Sequence, residues 1–163
     1  MAKDTVAKKV YQQAPRIARR VGAYVDISAA GDATLWTITG GPIFVHYLFG
    51  HVTTVIGAGL CVPRIQFTPT GGGEQTPLCA AAASIAADAV NTVYVWSGAV
   101  AGALAPTAVV GRADATETAW ATLGPGILLT AGLICLTNTV DAGSGVIDWY
   151  LYYTPCSDAV TVS

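Results

Sequence analysis

The sequence predicts an all-β chain: a β-sandwich or jelly roll of about ten short antiparallel strands with an extended N-terminal arm. Three observations carry that prediction. Apolar, β-branched and aromatic residues recur with a period of two in segment after segment, most plainly in VIDWYLYYT at Val146–Thr154. Gly- and Pro-rich turns punctuate these segments at intervals of roughly 8 to 15 residues. The body shows no amphipathic helical stripe, and no repeat of fixed period that would indicate a propeller or solenoid.

The elements follow in order. The first twenty-two residues read as a basic arm, with Val6, Val10, Ile17 and Val21 at helix-compatible spacing and Pro15 interrupting them. The domain proper is expected from residue 23. Tyr24–Ser28 alternates as a strand. Thr34–Thr39 is a second, and Gly40, Gly41 and Pro42 supply the backbone freedom for the chain to reverse or cross. Ile43–Phe49 is apolar at both alternating sets of positions, so it is expected to be covered on both sides. Continued to Ile56 it would be unusually long, which predicts a bulge or bend at Gly50. Leu60–Phe67 is a strand that Pro63 confines to an edge or a bulge. Residues 69–77 are a loop whose GGGEQT lacks the ending of a phosphate-binding loop.

Leu78–Val90 sets alanine-rich helix propensity against β-forming neighbours, and the neighbours favour a strand. Val93–Trp96, Thr107–Val110, Thr118–Leu123, Ile127–Thr130 and Leu133–Asn138 continue the series, with Gly132 as a kink. In the last strand Ile147, Trp149, Leu151 and Tyr153 form one face and Val146, Asp148, Tyr150 and Tyr152 the other.

The 163 residues are 53% hydrophobic and only 11% charged, against about 25% charged in ordinary globular chains. Such a surface calls for cover by a membrane or by other chains. Every apolar run is cut before the ~18 to 20 residues of a spanning helix, and the polar alternation of a membrane barrel is missing. Contact with other protein chains remains. Charge is divided unevenly, with +5 on residues 1–20 (Lys3, Lys8, Lys9, Arg16, Arg19 and Arg20 against Asp4) and −7 on the remainder. By its charge the arm suits either docking on an acidic surface or life as a solvated tail. Nucleic acid is disfavoured as that surface, because aromatic interleaving and a recognised binding module are both missing. The N-terminus lacks the apolar core of a secretory signal.

Chemistry finds little purchase. Cys61, Cys79, Cys135 and Cys156 contain no CxxC pair, so no metal site is expected; the first three read as buried thiols, while Cys156 near the C-terminus is open to a crosslink between chains. His46 and His51 stand five apart and would face opposite ways in an unbroken strand. A nucleophile elbow is missing, and no carboxylate pair stands out. Neither an enzyme nor a cofactor is expected.

Three blocks resemble small structural proteins of tailed bacteriophage particles, of the capsid decoration or cement type: VDISAAGDATLWTITGGPIFVHYLFGHVTT (Val25–Thr54), LCAAAASIAADAVNTVYVW (Leu78–Trp96) and WYLYYTP (Trp149–Pro155). The resemblance implies a protein made in the bacterial cytoplasm that sits on the outer capsid surface, bound to the major capsid protein and to copies of itself, as a trimer rather than a dimer. In that setting Lys3, Lys8, Lys9, Arg16, Arg19 and Arg20 would dock the arm. Ile43, Val45, Tyr47, Phe49, Tyr150 and Tyr152 would form the subunit interface. Alternatives are a tail or fibre component, a sugar-binding β-sandwich with Trp36, Trp120 or Tyr152 around a groove, and a hydrolase with a convergent His–carboxylate pair.

Overall fold

A computed structural model of the chain describes residues 14–20, 32–96, 105–106, 126–138 and 143–163. The expected strands Tyr24–Ser28, Thr107–Val110 and Thr118–Leu123 lie outside these residues. Among the described residues there are eleven strands: β1 (Arg16–Arg20), β2 (Asp32–Thr39), β3 (Ile43–Thr54), β4 (Pro63–Pro69), β5 (Thr76–Pro77), β6 (Val93–Trp96), β7 (Ala105–Pro106), β8 (Ile127–Leu129), β9 (Gly132–Asn138), β10 (Val146–Pro155) and β11 (Thr161–Val162). No helix among the described residues is long and apolar enough to cross a membrane.

The strands form two sheets. One runs β1-β10-β3-β6-β7, with β8 also on β3; the other runs β11-β2-β9-β4-β5. Every pairing is antiparallel, and the pairs nest: β4 with β5, β3 with β6, β2 with β9, β1 with β10. This is one long hairpin whose rungs fall alternately in either sheet. Pairing of β10 with β3 and of β9 with β4 then rolls it closed. The expected β-sandwich is thus a jelly roll by its connectivity.

The pattern of side chains explains the layers. Ile147, Trp149, Leu151 and Tyr153 of β10 all point inward, meeting Ile65, Ile134, Leu136 and Ile38 in one core. At β2 the chain crosses between sheets through Gly40 and Gly41, at φ 76° and 145°. A Cβ on Gly40 would fall on the carbonyl of Ala159, so only glycine fits.

Three expectations are corrected. First, β1 is part of the sandwich. Its five residues pair with β10 from Arg16↔Tyr153 to Arg20↔Trp149, so this part of the expected arm belongs to the larger sheet. Second, Gly50 is neither a bulge nor a bend. It lies in register opposite Trp149 and Tyr94, and the ladder's irregularities fall instead at His46 and Thr53, the β3 residues skipped between Tyr47 and Val45 and between Thr54 and Val52. Third, residues 78–90 are neither strand nor helix beyond isolated bridging. Their amides reach one carbonyl after another of the preceding chain: Leu78 to Ile65, Ala82 to Pro63, Ile85 to Cys61 and Ala87 to Gly57. The stretch straps one sheet to the other and drops Leu78, Cys79, Ala82 and Ile85 into the core.

Two proline and glycine positions also resolve. Pro63 opens an internal strand, where its missing donor is tolerated. Gly132 begins β9 in register rather than kinking it.

Candidate functional site

The bulge at His46 decides which side chains reach the surface. Before it, Ile43 and Val45 face the core; after it, Leu48, Gly50 and Val52 do. The two residues at the bulge, His46 and Tyr47, therefore both face outward, as do Phe44 and Phe49, all half-buried. This divides the expected interface set. Ile43 and Val45, both 0% exposed, are core residues and cannot meet a partner. Tyr47, Phe49, Tyr150 and Tyr152 share the outer face of the larger sheet.

There they stand in cross-strand rows. Ile17, Tyr152 and Tyr47 follow one another across β1, β10 and β3; Arg19, Tyr150, Phe49 and Val95 form the next row, reaching β6. Phe49 stacks on Tyr150 with centroids 4.5 Å apart and planes 8° off parallel, and Tyr47 on Tyr152 at 4.7 Å and 25°. Such pairs contribute about 0.5–1.5 kcal/mol each beyond their area. His46 completes the strip, tilted against Tyr152 and edge-on to Phe44, both at 5.1 Å. Its Nε2 is 2.8 Å from Thr154 Oγ1. Desolvation by its neighbours lowers its pKa and raises that of Tyr47.

Charge is nearly absent from this face. Arg19 lies over the Tyr150 ring at 5.6 Å and donates to Asp148 Oδ2 at 2.7 Å. Asp148, almost fully buried, is neutralised in place, and its hydrogen bond raises the pKa of Arg19. The sequence places Arg19 among the docking cations, whereas here it is engaged within its own sheet. Arg16 is exposed, Arg20 occupies the last register position of β1, and Lys3, Lys8 and Lys9 lie outside the described residues.

The histidines share this outer face, because the bulge at His46 shifts the alternation by one. They nonetheless have separate partners, Thr154 for His46 and Asn91 at 3.2 Å for His51. Among the described residues, no group of three His, Cys, Asp or Glu side chains is placed to hold a metal ion. Cys61, Cys79 and Cys135 are buried and Cys156 is half-buried. Trp36, named for a sugar groove, is 1% exposed in the core, and Trp120 lies outside the described residues. Sequence reading missed Phe44 and His46 as surface residues, because strict alternation cannot locate a bulge.

No family model matches the sequence, and no curated protein does. Among solved structures, the chain is similar to one chain of the structure of infectious bursal disease virus Gx strain, with 10% sequence identity and a TM-score of 0.25. The match covers 91% of this chain and 38% of that one. A TM-score that low does not establish a shared fold, and the jelly roll rests on the strand pairing described above.

Proposed function

We propose that the protein is a structural component of a virus particle, a decoration protein that binds the outside of a bacteriophage capsid and bridges capsomers. The aromatic outer face of the larger sheet is its docking surface, toward the major capsid protein and toward sister copies in a trimer. One observation carries this reading: Phe44, His46, Tyr47, Phe49, Tyr150 and Tyr152 form a continuous half-exposed strip whose nearest ion pair is already closed within the sheet. An apolar surface with tyrosine hydroxyls and little charge is the composition of a protein interface core. The resemblance of the three sequence blocks points to the same setting, and jelly rolls recur in capsid and lectin domains alike, so the site rather than the fold must decide.

The site argues against sugar. A glycan platform offers ring faces, whereas here the faces are taken: Tyr150 lies between Phe49 and Arg19, and Tyr152 has Tyr47 stacked on it and Ile17 as its neighbour on the other strand. Those two rings are thus already engaged by side chains of the same sheet. Binding to the assembled shell but not to free capsomers then stabilises the shell by mass action. The function needs no catalysis and no cofactor.

The test is sedimentation of the purified protein with undecorated shells, using the wild type and the Tyr47→Glu and Tyr152→Glu variants. Binding that persists in high salt is expected for apolar contact, with a loss of about tenfold or more in each variant and unchanged β-sheet circular dichroism. Full binding by both variants, or no shell binding by the wild type, refutes the reading.

A further inference from the structure

β1 ends its sheet, and among the described residues no strand pairs with its outer edge. In an antiparallel pair, alternate residues turn their N–H and C=O away from the neighbouring strand, so an edge presents groups ready to accept another strand. Cations on an edge ordinarily block such pairing. Blocking does not account for Ile17, which stands between Arg16 and Arg19 with 63% of its surface exposed. It lies opposite Tyr152, at the open end of the row that continues to Tyr47. An added strand would cover Ile17 and lengthen that row.

We propose that β1 accepts an acidic, extended segment of another polypeptide, which joins the larger sheet as a further antiparallel strand. Charge selects this occupant. Of the lysines and arginines among the described residues, all but Arg64 lie on β1. Asp148 meets Arg19, and Arg16 is exposed, with no carboxylate of the described residues in ion-pair contact. A second copy of β1 is the wrong occupant. Antiparallel pairing about Ala18 would set Arg16 of each copy across from Arg20 of the other, and like charges directly opposed destabilise a ladder. The complementary segment, read in its own direction, carries acids opposite Arg20 and Arg19, a small residue opposite Ala18, an apolar residue opposite Ile17 and an acid opposite Arg16. Main-chain pairing supplies affinity in this mode and the alternate side chains supply selection. The proposal stands whatever the aromatic face binds.

The experiment uses the full chain and two labelled synthetic peptides, with centres reading Glu-Glu-Ala-Val-Glu and Lys-Lys-Ala-Val-Lys. Fluorescence anisotropy is expected to show binding of the acidic peptide alone, weakening as salt is raised. Hydrogen exchange is expected to slow at the β1 amides when it binds. Arg16→Glu, an exposed position, is expected to weaken binding by about tenfold, the effect of one lost charge-assisted contact, with an unchanged thermal midpoint. Alternate N-methylation of the peptide should abolish binding. Equal binding of the two peptides, binding without slowed β1 exchange, or binding indifferent to N-methylation overturns the proposal. So does self-association of the protein that slows the same amides.

Discussion

Replacing Gly50 with alanine sets two effects of known size against each other. Glycine within a strand is destabilising by about 0.5–1 kcal/mol relative to alanine, and Gly50 is not among the residues of positive φ. On backbone grounds alone the substitution should stabilise. The packing says otherwise. A Cβ at Gly50 would stand 2.8 Å from Cζ3 and 2.9 Å from Cε3 of Trp149, and 2.9 Å from Cγ2 of Ile147, where carbon atoms prefer about 3.5–4.0 Å. Trp149 is 0% and Ile147 1% exposed, and β3 is held between β10 and β6, so neither side yields freely. Overpacking of this kind costs about 1–3 kcal/mol. The net expectation is a loss of about 1–2 kcal/mol, or a thermal midpoint lower by about 2–8 °C for a chain of this size. Urea and thermal unfolding followed by tryptophan fluorescence measure it. In a Trp149→Phe background, which removes part of the indole wall, the penalty should shrink, and the double-mutant cycle reports the coupling. A midpoint that rises in Gly50→Ala would refute this account of the Trp149 contact.

Truncation tests β1: deletion through Arg20 removes β1 and the Arg19–Asp148 ion pair and should lower the thermal midpoint clearly below that of a chain lacking only residues 1–13. Acid tests His46. Burial holds its imidazole below the ordinary value of 6.5, so the unfolded chain takes up that proton first as pH falls; the stability linked to neutral His46 is complete above about pH 6.5 and lost as pH drops through the lowered value. Urea midpoints measured between about pH 7 and pH 5 should fall less steeply in His46→Gln than in the wild type. Thiol labelling of the native protein should modify Cys156 and spare Cys61, Cys79 and Cys135, with burial also pushing the Cys135 thiol up; rapid labelling of all four without unfolding would contradict the core described here.

How far the fold was legible depended on what each segment's residues could say locally. The last strand was read correctly face by face, because Ile147, Trp149, Leu151 and Tyr153 alternate without interruption with the outward residues. The same logic failed on β3. Period two placed Ile43, Val45, Tyr47 and Phe49 on one face, and one extra residue at His46 separated the first pair from the second. A bulge is set by pairing with β10, over a hundred residues distant in sequence, so no window around His46 contains it. Gly50 attracted the expected irregularity because glycine marks both bends and close approaches; the indole that requires it sits on another strand. Leu78–Val90 was ambiguous for a related reason: its backbone partners are the carbonyls of residues 57–65, a tertiary arrangement invisible to propensity. Arg16–Arg20 looked like arm by charge, although Ile17 and Ala18 between the arginines already allow a strand.

The unusual composition takes on a specific meaning once the residues are placed. A chain with 11% charged residues could be expected to expose broad aliphatic patches, yet the large hydrophobic side chains most exposed among the described residues are Ile17, Val55, Leu60, Val90 and Leu128. Ile17 and Leu128 flank the aromatic strip on the outer face of the larger sheet, opposite Tyr152 and Phe44, while Val55, Leu60 and Val90 lie in connecting segments. Aliphatic bulk is used in the core between the sheets. The outer face of the larger sheet is aromatic instead, and its rings satisfy one another by stacking before any partner arrives. Little side-chain freedom is left to lose on binding, since two-torsion rings already held in rows need no reordering, and that lost freedom is a main cost of association. A face ordered in advance, edged with hydroxyls and almost free of unpaired charge suits a protein that must leave separate subunits alone and settle on their assembled surface. Under the proposed function, the stacked rows across β10 and β3 are the surface a shell would meet. Substitutions that keep the rows, such as Tyr152→Phe, should therefore weaken shell binding far less than Tyr152→Glu; equal loss in both would mean that one hydroxyl, and not the stacked face, makes the contact.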